Sequence, residues 1–402
     1  MHHYDFNKPV DRHGTDSLKF DRAESRHRSP DLLSLWVADM DFPAPDEVIE
    51  AVEERARHGI FGYTEPGDAY FDALADWMGS RYSLNATREN TIITPGVVFA
   101  LATCIRAFTE PGDAVLVQRP VYYPFSAMVS LNDRALANAP LTFGAEGYSI
   151  DLEAFERTVE ESNAKLFLLC NPHNPAGRAW THRELQAMGE ICASHGVVVV
   201  SDEIHMDFAR PGITHTSFAT LSPELADITI TCTSASKTFN LAGLQVANII
   251  IDNEKLRSAF EATLSAEGYS QPNTLGLVAT QAAYAHGGEW LAQLKDYLEG
   301  NWRLVEDHLA QHAPALHLVP AETTYLAWID CRALGFDSHQ LERFIEDEAG
   351  LWLDCGHIFG PEGEGFIRIN IATQRAYLKR ALEQLTDAVA RLGAKVLLRT
   401  ES

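Results

Sequence analysis

The sequence predicts a two-part α/β protein in which a large unit with a mostly parallel central sheet is followed by a smaller α+β unit. Three observations carry this. Short apolar runs recur without polar alternation, as strands covered on both faces require. Capped amphipathic stretches lie between several of them. After about Gly288 the texture changes to one long helical repeat followed by two further short runs.

Residues 1–50 are polar before they turn to LLSLWVADMDFPAP, where Pro43 and Pro45 forbid a regular helix. This segment is expected to pack as an arm or to join the small unit. Residues 51–288 are assigned to the large unit. There, Thr94-Pro95-Gly96-Val97-Val98 follows the strand-like TII and opens an amphipathic helix bearing Phe99, Leu101, Ile105 and Phe108. AVLV from Ala114, KLFLLC from Lys165, VVVVS from Val197, ITITCT from Ile228 and ANIII from Ala247 read as strands of the parallel sheet. Asp151 is the expected N-cap of a helix with Leu152, Phe155 and Val159 on one face. Thr181 and Glu184 form a capping box ahead of Leu185, Met188, Ile191 and Cys192. In 289–402, Trp290, Leu294, Leu298, Trp302 and Val305 mark a long helix. LAWID, GFIRINIA and a last helix to about Leu392 complete the small unit.

A chain of 402 residues is long enough for two or three domains, and 46% apolar with 22% charged residues is ordinary soluble usage. The net charge of −24 opposes phosphate backbones and anionic lipid, so neither nucleic acid nor membrane is an expected partner. An anionic ligand would need a local pocket of N–H groups and cations. The opening MHHYDFNKPVDRHG has no apolar signal core, which leads to the expectation of a cytoplasmic protein. The 6 cysteines include no C-x-x-C pair and are expected as buried reduced thiols. The 16 histidines show no H-E-x-x-H spacing, so no metal is expected.

Three strand ends deliver reactive groups. TCTSASKTFNLAG places Lys237 after an apolar run, where low-dielectric surroundings lower an amine's pKa and expose a nucleophile. On position alone, a solvent-facing loop lysine is the commoner case. VVVVSDEIH places Asp202 after four valines, where a carboxylate must be paired. Its partner is either a structural arginine or the protonated ring nitrogen of a bound heterocycle. KLFLLC runs into Asn171-Pro172-His173-Asn174-Pro175-Ala176-Gly177, a turn by composition that also supplies an amide. Separately, the helix opening at Gly96 offers free N–H groups to a phosphate.

SASKTFNLAG, SDEIH, NPHNPAG, TPGVV and GFIRINIA, taken together over nearly the whole chain, resemble the fold type I pyridoxal-phosphate enzymes of the class I/II aminotransferase superfamily. WVADMDFPAP, FGYTEP, PVYYPF and DEIH are more specifically similar to the MalY/PatB branch of cystathionine β-lyases and related cysteine-conjugate carbon–sulfur lyases. The resemblance implies the aspartate aminotransferase-like fold and pyridoxal 5'-phosphate as cofactor. It implies that Lys237 holds the cofactor covalently, that Asp202 faces its pyridine nitrogen, and that Asn174 meets its phenolic oxygen. Tyr122 would stack on the ring as a third catalytic residue. Ser234, Ser236 and the backbone at Gly96, Val97 and Val98 would bind the phosphate. Tyr63 would reach the phosphate of a partner subunit, which implies a homodimer with composite sites. Arg368 would clamp an amino-acid carboxylate, with Trp36, Asp39, Asp41 and Tyr123 bordering the substrate.

Two departures stand out. Many aminotransferases of the superfamily carry an arginine eight residues after the lysine, where this chain has Gln245. They usually carry a tyrosine three residues after the aspartate, where His205 stands here among the cofactor-binding candidates, in accord with the lyase branch. The implied activity is β-elimination from L-cystathionine or a similar cysteine S-conjugate. An aminotransferase sharing every cofactor residue, or a protein of this fold with an added regulatory binding role, are the alternatives.

Overall fold

The computed structural model describes residues 3–400, with side chains described through Gly393. Seven strands form the central sheet: β1 (Thr91–Thr94), β2 (Ala114–Val117), β3 (Ala135–Asn138), β4 (Leu166–Cys170), β5 (Val198–Asp202), β6 (Thr229–Thr233) and β7 (Ala247–Ile250). Their spatial order is β1-β7-β6-β5-β4-β2-β3. The sheet is parallel except for β7, which runs against both neighbours. This corrects the reading of ANIII as a parallel strand. Residues 234–246 carry only two single-turn helices, Ala235–Thr238 and Ala242–Leu244, so the chain turns back beside β6 instead of crossing over the sheet.

Alternation within the strands supplies two cores. Leu166, Leu168 and Val200 pack with Ala100, Leu101 and Ile105 of helix Val97–Phe108 and with Phe260 of helix Glu254–Ala266. Phe167, Leu169 and Val199 face the other way, onto Phe155 and Val159 of helix Leu152–Ser162 and Leu185 and Met188 of helix His182–Ser194. Burying each such side chain stabilises by roughly 1.5–3 kcal/mol. Both expected N-caps form: Asp151 accepts from the N–H of Ala154, and Thr181 and Glu184 make a reciprocal capping box.

The smaller part is an antiparallel sheet of β8 (His317–Leu318), β9 (Leu326–Asp330), β10 (Asp354–Cys355) and β11 (Phe366–Asn370), ordered β8-β9-β11-β10. Helices Gly288–His312 and Arg375–Thr400 pack together within this part. The last helix passes the expected stop near Leu392 and continues to Thr400. Leu33–Ser34 pairs in parallel with Leu351–Trp352, which fastens the N-terminal segment to the smaller part. Fully buried Lys19 bonds Asp41 at 2.8 Å, and Arg12 bridges Asp41 and Asp39. All six cysteines are buried and free of disulfides. Among the described residues, no helix is long and apolar enough to cross a membrane.

Candidate active site

The carboxyl ends of β1, β4, β5 and β6 open onto one cavity of about 510 Å³, the usual place for a ligand in an α/β sheet. Asn174 enters from the turn after β4, Asp202 from the last position of β5, and Lys237 from the single-turn helix after β6. The order amide, carboxylate, amine is the one the sequence motifs imply.

The Lys237 ammonium donates to the carbonyl of Ala38 at 2.7 Å. Enclosure pulls its pKa down to about 8, and the charge of Arg368 adds to this while Asp39 and Asp202 oppose it. Burial pushes Asp202 up to about 7 against the opposing effects of the Ile204 N–H, which it accepts at 3.1 Å, and of Lys237. Burial thus raises an acid and lowers a base toward each other within one cavity. His205 lines the same wall, and burial pulls its pKa down to about 3, so its ring is neutral near pH 7. Its Nδ1 is sealed without a hydrogen-bond partner, and the ring packs edge-on against Tyr325.

A helix N-terminus meets the same cavity. Gly96 caps helix Val97–Phe108, and the first amide of the turn to find an acceptor is that of Ala100, which bonds the Gly96 carbonyl at 3.1 Å. The amides of Val97 and Val98 therefore stand free at the positive end of the helix, against the cavity. Ser236 also lines it. Ser234 does not: its hydroxyl donates to the Val246 carbonyl at 2.6 Å and accepts from the Ser236 amide at 3.1 Å, capping the short helix that carries Lys237. Gln245 lines the cavity in a left-handed conformation, so no cation stands at that point.

Tyr122 lines the cavity, its amide bonded to the Asn174 carbonyl at 2.9 Å and its phenol pushed up by burial. Tyr123 lies outside the lining, 39% exposed, with its ring 5.1 Å from that of Tyr122. Arg368 sits behind the cavity, only 2% exposed. It donates to Asn174 Oδ1 and to the Trp36 carbonyl, both at 3.0 Å, and ion-pairs with Asp354. Trp36 stacks on Trp352 with centroids 4.7 Å apart. Asp39 is gripped by both terminal nitrogens of Arg12, and Asp41 by Arg12 and Lys19, so neither carboxylate lines the cavity. Tyr63 stands apart, 94% exposed, in a segment whose Ile60 and Phe61 are also exposed at 66% and 59%.

Sequence reading missed Ala38, whose carbonyl holds Lys237, and Asp354, the partner of Arg368. Ala38 adjoins residues singled out in WVADMDF, so that segment carried the signal. Nothing local marked Asp354, because only strand pairing brings it to Arg368.

Comparison with known proteins supplies the family. The family model for aminotransferase class I and II matches residues 30–385. The chain is 42% identical to cystathionine β-lyase PatB of Bacillus subtilis over 385 residues, covering 96% of this chain and 100% of that one. It is 34% identical to the MalY protein of Escherichia coli, covering 96% and 99%. Among solved structures, cystalysin from Treponema denticola, which contains a pyridoxal 5'-phosphate cofactor, superposes with a TM-score of 0.94 at 36% identity over 97% of this chain and 100% of that one. The lysine, carboxylate and amide converging on a helix N-terminus are thus set in a frame shared end to end with these proteins, and the chain belongs to the class I and II aminotransferase family of fold type I pyridoxal-phosphate enzymes.

Proposed function

We propose that this protein uses pyridoxal 5'-phosphate to cleave the Cβ–S bond of L-cystathionine or a related cysteine S-conjugate, giving a thiol, pyruvate and ammonia. The observation that carries the reading is the single cavity joining a lysine of lowered pKa, a buried carboxylate and unbonded helix-terminal amides. Those groups match the aldehyde, ring nitrogen and phosphate of the cofactor. The relatives named cystathionine β-lyase and C-S lyase support the choice of reaction.

When bound, pyridoxal phosphate supplies an electron sink for negative charge at the substrate α-carbon. The Val97 and Val98 amides and Ser236 would hold the phosphate, with the helix dipole standing in for the cation absent at Gln245. Asp202 would keep a proton on the ring nitrogen. Asn174, its Oδ1 held by Arg368, would offer its Nδ2 donors to the phenolic oxygen. Tyr122 would lie against the ring. Lys237 would hold the cofactor and, as a free amine, would serve as general base for the α-proton, a task for which a pKa of about 8 suits it. Arg368 binds the substrate carboxylate. Loss of the α-proton drives the thiolate from the β-carbon, and water converts the remaining three-carbon fragment to pyruvate and ammonia.

The exposed apolar segment at Ile60–Tyr63 supports a homodimer in which Tyr63 completes the partner's phosphate site. The same reading divides the chain into an arm at 1–50, a cofactor-binding domain at 51–288 and a small domain at 289–402, and places the enzyme in the cytoplasm. The test is incubation of the holoenzyme with L-cystathionine and no added keto acid. Equal amounts of thiol, pyruvate and ammonia are expected. Turnover that requires a keto-acid acceptor and releases no thiol would overturn the lyase reading in favour of an aminotransferase.

A further inference from the structure

We propose that Arg26, seated on Trp36, binds an anionic group on the departing arm of the substrate and so sets how strongly a carboxylate on the leaving thiol favours a thioether. This rests on the lyase reading and specifies its substrate class.

Arg26 ends the short helix Glu24–Arg26 of the N-terminal segment and is exposed. The other arginines of that segment, Arg12, Arg22 and Arg28, each hold a carboxylate. Among the described residues, Arg26 makes no ion pair and no side-chain hydrogen bond. What fixes it is the Trp36 ring, 5.2 Å from the guanidinium carbon, and that ring is itself stacked on Trp352 at 4.7 Å. A cation held on an aromatic face is positioned while its N–H donors stay free for a ligand.

The platform leads to the reaction centre. The Trp36 carbonyl bonds Arg368 at 3.0 Å, and Arg368 bonds Asn174 of the cavity wall. Tyr123, which packs against Tyr122 of the same wall, lies within the electrostatic reach of both Arg26 and Arg368. Trp36 thus meets two arginines, the buried Arg368 through its carbonyl and the exposed Arg26 through its ring. An amino acid anchored through its carboxylate at the inner arginine directs its β-substituent away from that anchor. A second carboxylate on the β-substituent finds Arg26 as the unpaired cation of this rim.

The test compares S-(2-carboxyethyl)-L-cysteine with S-propyl-L-cysteine on the holoenzyme, in the wild type and in the Arg26→Ala and Arg26→Lys variants. Arg26→Ala is expected to raise KM for the carboxylate substrate about tenfold, the scale of one charge-assisted hydrogen bond. It should leave kcat for that substrate, and KM for the propyl substrate, within about twofold. Lysine should recover part of the loss, and added salt should raise the wild-type KM only for the charged substrate. Equal effects on both substrates, or none on either, would overturn the proposal. Wild-type pyruvate release from S-propyl-L-cysteine upholds the lyase reading whatever Arg26 does, so the two fail separately. No pyruvate from either thioether overturns both.

Discussion

Asp354 and Arg368 stand directly opposite each other on strands β10 and β11, and the carboxylate ion-pairs with the guanidinium that the amino-acid substrate is expected to use. Both are buried, and Arg368 keeps its Nε without an acceptor. A buried arginine cannot stand without a counter-charge, and Asp354 provides one from within the chain.

Replacing Asp354 with Asn should therefore act in two directions. Losing one charge of a buried pair should destabilise the protein by about 2–4 kcal/mol, tempered by the acceptor that asparagine retains. With the competing carboxylate gone, Arg368 should bind amino-acid substrates more tightly and KM should fall several-fold. Thermal melts and steady-state kinetics check both, and an unchanged KM would show that Asp354 does not compete for the guanidinium.

The buried Asp202 should leave a mark on the stability of the cofactor-free protein. Its carboxyl titrates at about 7 in the fold, against about 4 in an unfolded chain. Between those values the native state keeps a proton that the unfolded state has lost. The contribution is thus fully present below about pH 4 and is lost as pH rises to about 7. Asp202→Asn removes this dependence, so melts of the cofactor-free variant should gain on wild type with rising pH across that window. A constant difference would contradict it.

Gly276 passes close beneath the cavity edge. A Cβ there would meet the Leu244 carbonyl oxygen at 2.5 Å and Val246 Cγ2 at 2.6 Å, displacing the segment that presents Gln245. Gly276→Ala should cost about 1–3 kcal/mol and weaken retention of the cofactor. Gly243→Ala, with open space around its Cβ, is the control and should melt close to wild type. Dialysis followed by thermal melts measures both.

If Tyr63 serves the partner's site, two inactive variants should complement each other. Mixed Tyr63→Ala and Lys237→Ala subunits should form a hybrid with one intact site and regain up to about a quarter of wild-type activity, by the statistics of random pairing in a two-fold dimer. No recovery in verified hybrids would show that each subunit builds its site alone.

Local chemistry made much of this molecule legible. The Thr181 capping box, the Asp151 N-cap and the helix opening after Gly96 depend on neighbours a few residues apart, and all three are present. The strands of the central sheet announced themselves through unbroken apolar runs, because both of their faces are covered. Direction was not encoded there: β7 hides both faces as its neighbours do and still runs antiparallel. At the site, the strand-end positions of Lys237, Asp202 and Asn174 were readable. The employment of Asp39 and Asp41 by Arg12 and Lys19 was not, since those contacts depend on how the N-terminal segment folds back on itself. Ser234 shows the same limit in small: a hydroxyl beside the lysine turned out to cap a helix, a matter of rotamer and not of spacing.

The central claim is that Lys237, faced by Asp202, carries pyridoxal 5'-phosphate. It is tested most directly by incubating the purified protein with the cofactor, recording the visible spectrum, reducing with borohydride and mapping the modified peptide by mass. A visible absorbance band lost on reduction, with the label on Lys237 alone, is the predicted result. A protein that stays colourless, or a label on a different lysine, would contradict it.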